Sequence, residues 1–176
     1  MANTEPLDQL HTLPDAEQQC RQLADLLRPA LPENPALVGI HSGGAWIAER
    51  LCTLLGLPTT ALGTLDISFY RDDFAEKGLP QEVKASSMPF DMAARHVILV
   101  DDVLYTGRTT RAALNELFDY GRPASIALAV LADRGGRELP IAAEYCVWHV
   151  AVPQSRFLVL NRTPAGKLAW SLQQID

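Results

Sequence analysis

Three stretches of the chain, 36–40 (ALVGI), 97–100 (VILV) and 125–131 (SIALAVL), carry apolar residues at nearly every position. A strand with one wet face alternates apolar and polar side chains, so the lack of alternation predicts strands covered on both faces. Between these runs the apolar spacing changes to that of a helix. Leu23, Leu26, Leu27 and Ala30 form one stripe, Ile47, Leu51, Leu54 and Leu55 a second, and Leu114, Leu117 and Phe118 a third. Pro14-Asp15-Ala16-Glu17 opens the first helix, and Pro29 and Pro32 close it. The second ends at Gly56, and the third spans 109–120 and ends at Gly121. Doubly covered strands alternating with amphipathic helices predict an α/β fold, a central parallel sheet flanked by helices.

At 176 residues the chain is expected to form a single domain, 1–176, with a substantial core. Residues 1–13 read as a loosely attached arm and 59–69 as a further strand. Residues 70–95 are charged, broken by Pro and Gly and without a long period, the pattern of a functional loop. The part from 133 to 176 holds short strand-like runs at 145–150, 157–160 and 168–172, with NRTPAGK (161–167) as a turn. A net charge of −6 argues against a basic surface over the whole molecule, though not against a local patch. Three scattered cysteines, without a CxxC or Cys/His cluster, argue against structural zinc and fit free thiols in a reducing cytoplasm. Neither a signal peptide nor a membrane-spanning run is expected.

The stretch HVILVDDVLYTGRTTRAAL (96–114) holds the candidate chemistry. Ligands of open parallel sheets bind beyond the carboxyl ends of strands, where Asp101 and Asp102 are expected. The turn that follows delivers N–H groups and the hydroxyls of Thr106, Thr109 and Thr110 at a helix N-terminus, which suits a phosphate. Gly107 lets the backbone approach the anion. Two carboxylates would repel that phosphate unless they face something else, and a vicinal diol is their natural partner. Together these residues describe a ribose 5-phosphate site. The alternative, acids serving only as cap or turn formers, stays open. Neither GxxxxGK[ST] nor GxGxxG is present.

VILVDDVLYTGRTTRAAL resembles the phosphoribosyl diphosphate (PRPP) signature of the type I phosphoribosyltransferases. With DISFYRDD (66–73) before it and GRPASIALAVLADRGGRELPI (121–141) after it, the likeness spans about 36–141. Within that family it is nearest to the regulators of pyrimidine operons that also make UMP from uracil and PRPP. The resemblance implies the type I phosphoribosyltransferase fold, with a flexible loop at about 70–95 and a small C-terminal hood at about 133–176. Asp101 and Asp102 would bind the ribose hydroxyls and meet Mg2+ only indirectly, through the ribose and PRPP. Leu104, Tyr105, Thr106, Gly107, Arg108 and Thr109 would wrap the 5-phosphate, and Arg71 would approach the pyrophosphate. The implied partners are PRPP, uracil, UMP, an RNA leader or DNA, and further copies of the chain, with no membrane.

Two blocks depart from the family's pattern. The pyrophosphate loop usually reads Thr-Arg-Gly and often holds a non-proline cis peptide; here His41 precedes Ser42, Gly43 and Gly44. The hood usually carries a lysine where this chain has Trp148. Trp148 and Val150 are candidates for the base site, with strand packing as the alternative for Trp148. Arg134 and Arg137 are candidates for nucleic-acid contact, with a turn or subunit contact as the alternative. Two further readings stay open: a nucleotide sensor that has lost catalysis, and a salvage enzyme for another base.

Overall fold

The computed structural model describes residues 4–7, 12–67 and 85–174. Among them six strands form one parallel sheet, β1 (Glu5–Pro6), β2 (Pro35–Ile40), β3 (Leu62–Leu65), β4 (His96–Leu104), β5 (Ser125–Asp133) and β6 (Tyr145–Ala151), in the order β1-β6-β5-β4-β2-β3. β7 (Arg156–Arg162) and β8 (Leu168–Gln174) form a separate antiparallel hairpin. Every position of β2 is buried, as its unbroken apolar run requires.

Helices cover both faces. α1 (Ala16–Leu27) and α2 (Gly43–Leu55) lie on one side, where Leu23, Leu27, Ile47 and Leu51 meet Val100, Leu131 and the hairpin residues Leu158, Leu160 and Trp170. α3 (Arg108–Asp119) lies on the other, where Ala113 and Leu117 meet Val38, Leu65, Leu99 and Met92. Asp15 caps α1 by accepting the Gln18 N–H at 3.0 Å. The hairpin is tied to both helices of its face. Glu17 pairs with Arg50 at 3.2 Å and accepts the Leu168 N–H at 2.9 Å, while Arg50 donates to the Gly166 carbonyl at 2.6 Å.

Several expected boundaries move. β4 does not stop at Val100 but runs on to Leu104, because β5 accompanies it that far, with Leu104 opposite Asp133. On the other edge β2 ends its pairing at Gly39 opposite Val100. Asp101 and Asp102 therefore lie inside the strand, where it has outrun one neighbour. Of the expected strand 59–69, residues Thr59–Ala61 form a 3-10 turn and β3 is short; Ser68 and Phe69 lie outside the described residues. The N-terminal arm is attached where it is described: Glu5 and Pro6 pair with Val150 and Ala151, and Leu7 is buried.

Of the expected loop, 70–84 lie outside the described residues, and 85–95 pack against the domain. Ser87 bridges Thr64, Met92 is buried, and Ser86 Oγ accepts the Asp66 N–H and donates to the Glu116 carboxylate. The expected hood is divided. β6 pairs with β5 and belongs to the main sheet, leaving β7–β8 as the separate piece.

Candidate functional site

β2 ends against the sheet edge that β4 overhangs, and the chain turns there through a cis His41–Ser42 peptide into α2. Three glycines make this approach possible. A Cβ on Gly39 would stand 2.5 Å from the Ala45 Cα, one on Gly44 would stand 2.2 Å from the Val100 carbonyl oxygen, and one on Gly43 would stand 2.3 Å from Asp102 Oδ2. Loop 41–44 thus lies directly on the acidic part of β4. Gly43 stands where the family pattern has arginine, and Asp102 occupies the space its side chain would need.

Asp101 is buried, and its Oδ1 accepts the Asp102 N–H at 2.9 Å. Asp102 Oδ1 accepts the Val103 N–H at 2.9 Å. Burial pushes the Asp102 carboxyl above the usual carboxylate range, against the opposing pull of its hydrogen bonds with Asp101 and Val103. A cleft of about 290 Å³ brings together His41, Ser42 and Gly43 from the loop, Asp101, Asp102 and Val103 from β4, and Thr109 from the first turn of α3. Trp46, Ile67 and Leu160 complete its walls.

Between β4 and α3 the chain makes the turn 104–107. Gly107 caps α3 with φ +91°, a conformation that favours glycine. Arg108 donates from Nε to Glu138 at 2.6 Å, and both side chains are half exposed. Asp101 and Asp102 are two carboxylates at the cleft, too few by themselves for the six oxygens that Mg2+ takes. Among the described residues no cluster of three or more His, Cys, Asp or Glu could hold a metal ion. The fit is therefore to a magnesium that arrives with a polyphosphate supplying further oxygens, rather than to one caged by protein.

The other sequence candidates fare differently. Arg71 lies outside the described residues. Trp148 and Val150 are corrected: both are buried, Trp148 at 7% exposure with its ring 6.3 Å from that of Trp170, so they are core and offer no open platform for a base. They share one face of β6, as residues two apart in a strand must, and that face is the one under α1.

Arg134 and Arg137 are engaged within the fold. Arg134 lies over the Tyr105 ring at 4.1 Å and donates to the Arg156 carbonyl at 3.4 Å. Arg137 pairs with Asp133 and donates to the carbonyls of Ile141, at 3.0 Å, and Tyr105, at 2.5 Å. Gly39, Trp46 and Leu160 escaped the sequence reading. For Gly39 a signal existed, since an isolated glycine inside a strand marks a close backbone approach.

Comparison with known proteins places this chain in a family. Residues 6–153 match the model of the phosphoribosyl transferase domain. The chain is 50% identical over 161 residues to the bifunctional protein PyrR of Nitrosococcus oceani, covering 89% of this chain and 90% of that one. It is 53% identical over 134 residues to the bifunctional protein PyrR of Pseudomonas aeruginosa, covering 74% and 78%. Among solved structures, a hypoxanthine phosphoribosyltransferase from Staphylococcus aureus superposes with a TM-score of 0.59 at 22% identity, over 86% of this chain and 83% of that one, a likeness of fold. No helix among the described residues is long and apolar enough to cross a membrane. On domain, identity and coverage together, the chain belongs to the PyrR family of phosphoribosyl transferase domain proteins.

Proposed function

We propose that the chain is bifunctional in the sense of its relatives' name. It transfers the phosphoribosyl group of PRPP to uracil, giving UMP and diphosphate, and as a homo-oligomer in the cytoplasm it regulates pyrimidine biosynthesis genes through RNA or DNA. One observation carries the enzymatic half: His41, Ser42 and Gly43, the two acids of β4 and Thr109 of α3 border a single cleft.

In the reaction the bond from C1 of the ribose to the diphosphate oxygen breaks. The bond from C1 to N1 of uracil forms, and the N1 proton is released. No nucleophilic side chain is needed. Asp101 and Asp102 accept the ribose hydroxyls and orient the ring. Thr109 and the turn before α3 hold the 5-phosphate at a helix N-terminus. Ile67 and Leu160 supply the small apolar part of the cleft wall. Magnesium, when bound with PRPP, neutralises charge gathering on the departing diphosphate.

The test is UMP formation from uracil, PRPP and magnesium. Replacing Asp101 and Asp102 together by Asn is expected to cut turnover by about a hundredfold or more in a protein that still folds. Unchanged turnover would contradict the ribose assignment, and a wild-type chain active only with purines would reassign the base. For the regulatory half, a gel shift with RNA and DNA, with and without UMP at low salt, is expected to show nucleotide-dependent binding; no binding in any lane removes it. Gly43, which brings no cation to the loop, favours a second reading, a nucleotide sensor without catalysis. UMP binding without UMP synthesis would select that reading.

A further inference from the structure

Segment 134–141 leaves the end of β5 and runs along the back of turn 104–107. It takes three successive carbonyls of that turn. The Leu104 carbonyl accepts the Arg134 N–H at 3.0 Å, and the Thr106 carbonyl accepts the N–H groups of Glu138 at 3.0 Å and Leu139 at 3.2 Å. Between them, the Tyr105 carbonyl accepts Arg137 Nη1 at 2.5 Å, so a side chain does there what backbone N–H groups do for its neighbours. The guanidinium is fixed at its other corners, Nε on the Ile141 carbonyl at 3.0 Å and Nη2 on the Asp133 carboxylate. The packing is close, since a Cβ on Gly107 would stand 3.3 Å from the Ile141 Cβ.

A trans peptide is planar, so its N–H points opposite to its C=O. Drawing the carbonyls of Leu104, Tyr105 and Thr106 to one side turns the N–H groups of Tyr105, Thr106 and Gly107 to the other. Successive amides aimed one way make a concavity for an anion.

We infer that Arg137 is a positioning residue for the phosphate of the bound sugar phosphate: by holding the Tyr105 carbonyl back, it aims the Thr106 N–H at the anion. It touches no substrate itself. This rests on the reading that turn 104–109 takes a 5-phosphate. A lysine retains the charge but lacks the planar fork that spans a carboxylate and two carbonyls at once.

The experiment is calorimetric binding of ribose 5-phosphate, beside kinetics with uracil and PRPP, on the wild type, Arg137→Lys and Asp133→Asn, with thermal melts to confirm folding. Arg137→Lys is expected to weaken ribose 5-phosphate about tenfold and to raise the KM for PRPP by a similar factor, leaving the KM for uracil unchanged. Asp133→Asn, which loosens one corner of the guanidinium, is expected to do the same to a smaller degree. A side chain that merely holds the fold would lower the active fraction, and so kcat, without singling out PRPP. Folded variants that bind ribose 5-phosphate as the wild type does would overturn the inference while leaving the proposed function standing. A wild type that binds ribose 5-phosphate but makes no UMP would remove the uracil assignment and leave the inference. A wild type that does not bind ribose 5-phosphate would overturn both.

Discussion

Turn 104–107 and loop 41–44 both adjoin the acidic part of β4, yet they are held in place by different means. The turn is held by polar contacts from behind: each of its first three carbonyls has a donor on segment 134–141. The loop is held by shape. Its glycines lie against β4 with no room for a Cβ, and the Asp102 carboxylate fills the place of a side chain at position 43. A hydrogen-bonded turn tolerates small changes in the volume of its neighbours and fails when a donor is lost. A loop seated by contact distance fails when a single methyl is added.

The glycines break this comparison most directly. Gly44→Ala drives a Cβ into the backbone at Val100, which cannot step aside, and is expected to cost about 3 kcal/mol in urea unfolding. A cost under about 0.5 kcal/mol would show that the seat is loose. Gly43→Ala meets the Asp102 side chain, which can rotate. The Asp102 Cβ, at 2.9 Å, cannot, so the stability loss is expected to be about 2 kcal/mol, with the displaced carboxylate raising the KM for PRPP.

Asp102→Asn sharpens the contrast by pH. Burial raises the folded pKa of this carboxyl above its unfolded value. Its contribution to stability is thus fully present below about pH 4 and is lost as pH rises through the folded value. The Asn variant is expected to match the wild type near pH 4 and to exceed it near pH 7, read as urea midpoints across that range. Binding runs the other way, since a diol needs the ionised acceptor. Wild-type affinity for ribose 5-phosphate is expected to fall more steeply on acidification than the variant's, which keeps only the fall that comes from protonation of the ligand's own phosphate at about pH 6. Glu138→Gln, which breaks only the exposed pair with Arg108, is expected to change stability by less than about 0.5 kcal/mol.

Much of this was legible in the residues. Doubly apolar runs predict doubly covered strands, and β2, β4 and β5 are that. Asp101, Asp102 and Thr109 line one cleft because strand, turn and helix follow one another closely along the chain, and local order fixes local geometry. What escaped depends on partners distant in sequence. Asp101 to Leu104 stay in the strand because β5 continues beside them, which no polarity pattern announces. Trp148 lies in the core because Trp170 and α1 cover it. Arg137 turns inward because Tyr105, thirty-two residues earlier, offers it a carbonyl. A charged residue in a glycine-rich loop gives no sign of such an acceptor.

Glu17 lies 151 residues from Leu168 and accepts its amide, and it pairs with the Arg50 that grips Gly166. One carboxylate near the beginning of the chain therefore fastens the last hairpin, and that hairpin lends Leu160 to the cleft. A protein shortened just after Arg162 would lose more than a strand. The first turn of α1 would be left without the Leu168 amide, and Leu160 without the Trp170 that stands opposite it in the hairpin, so a wall of the cleft rests on a contact between residues 151 positions apart.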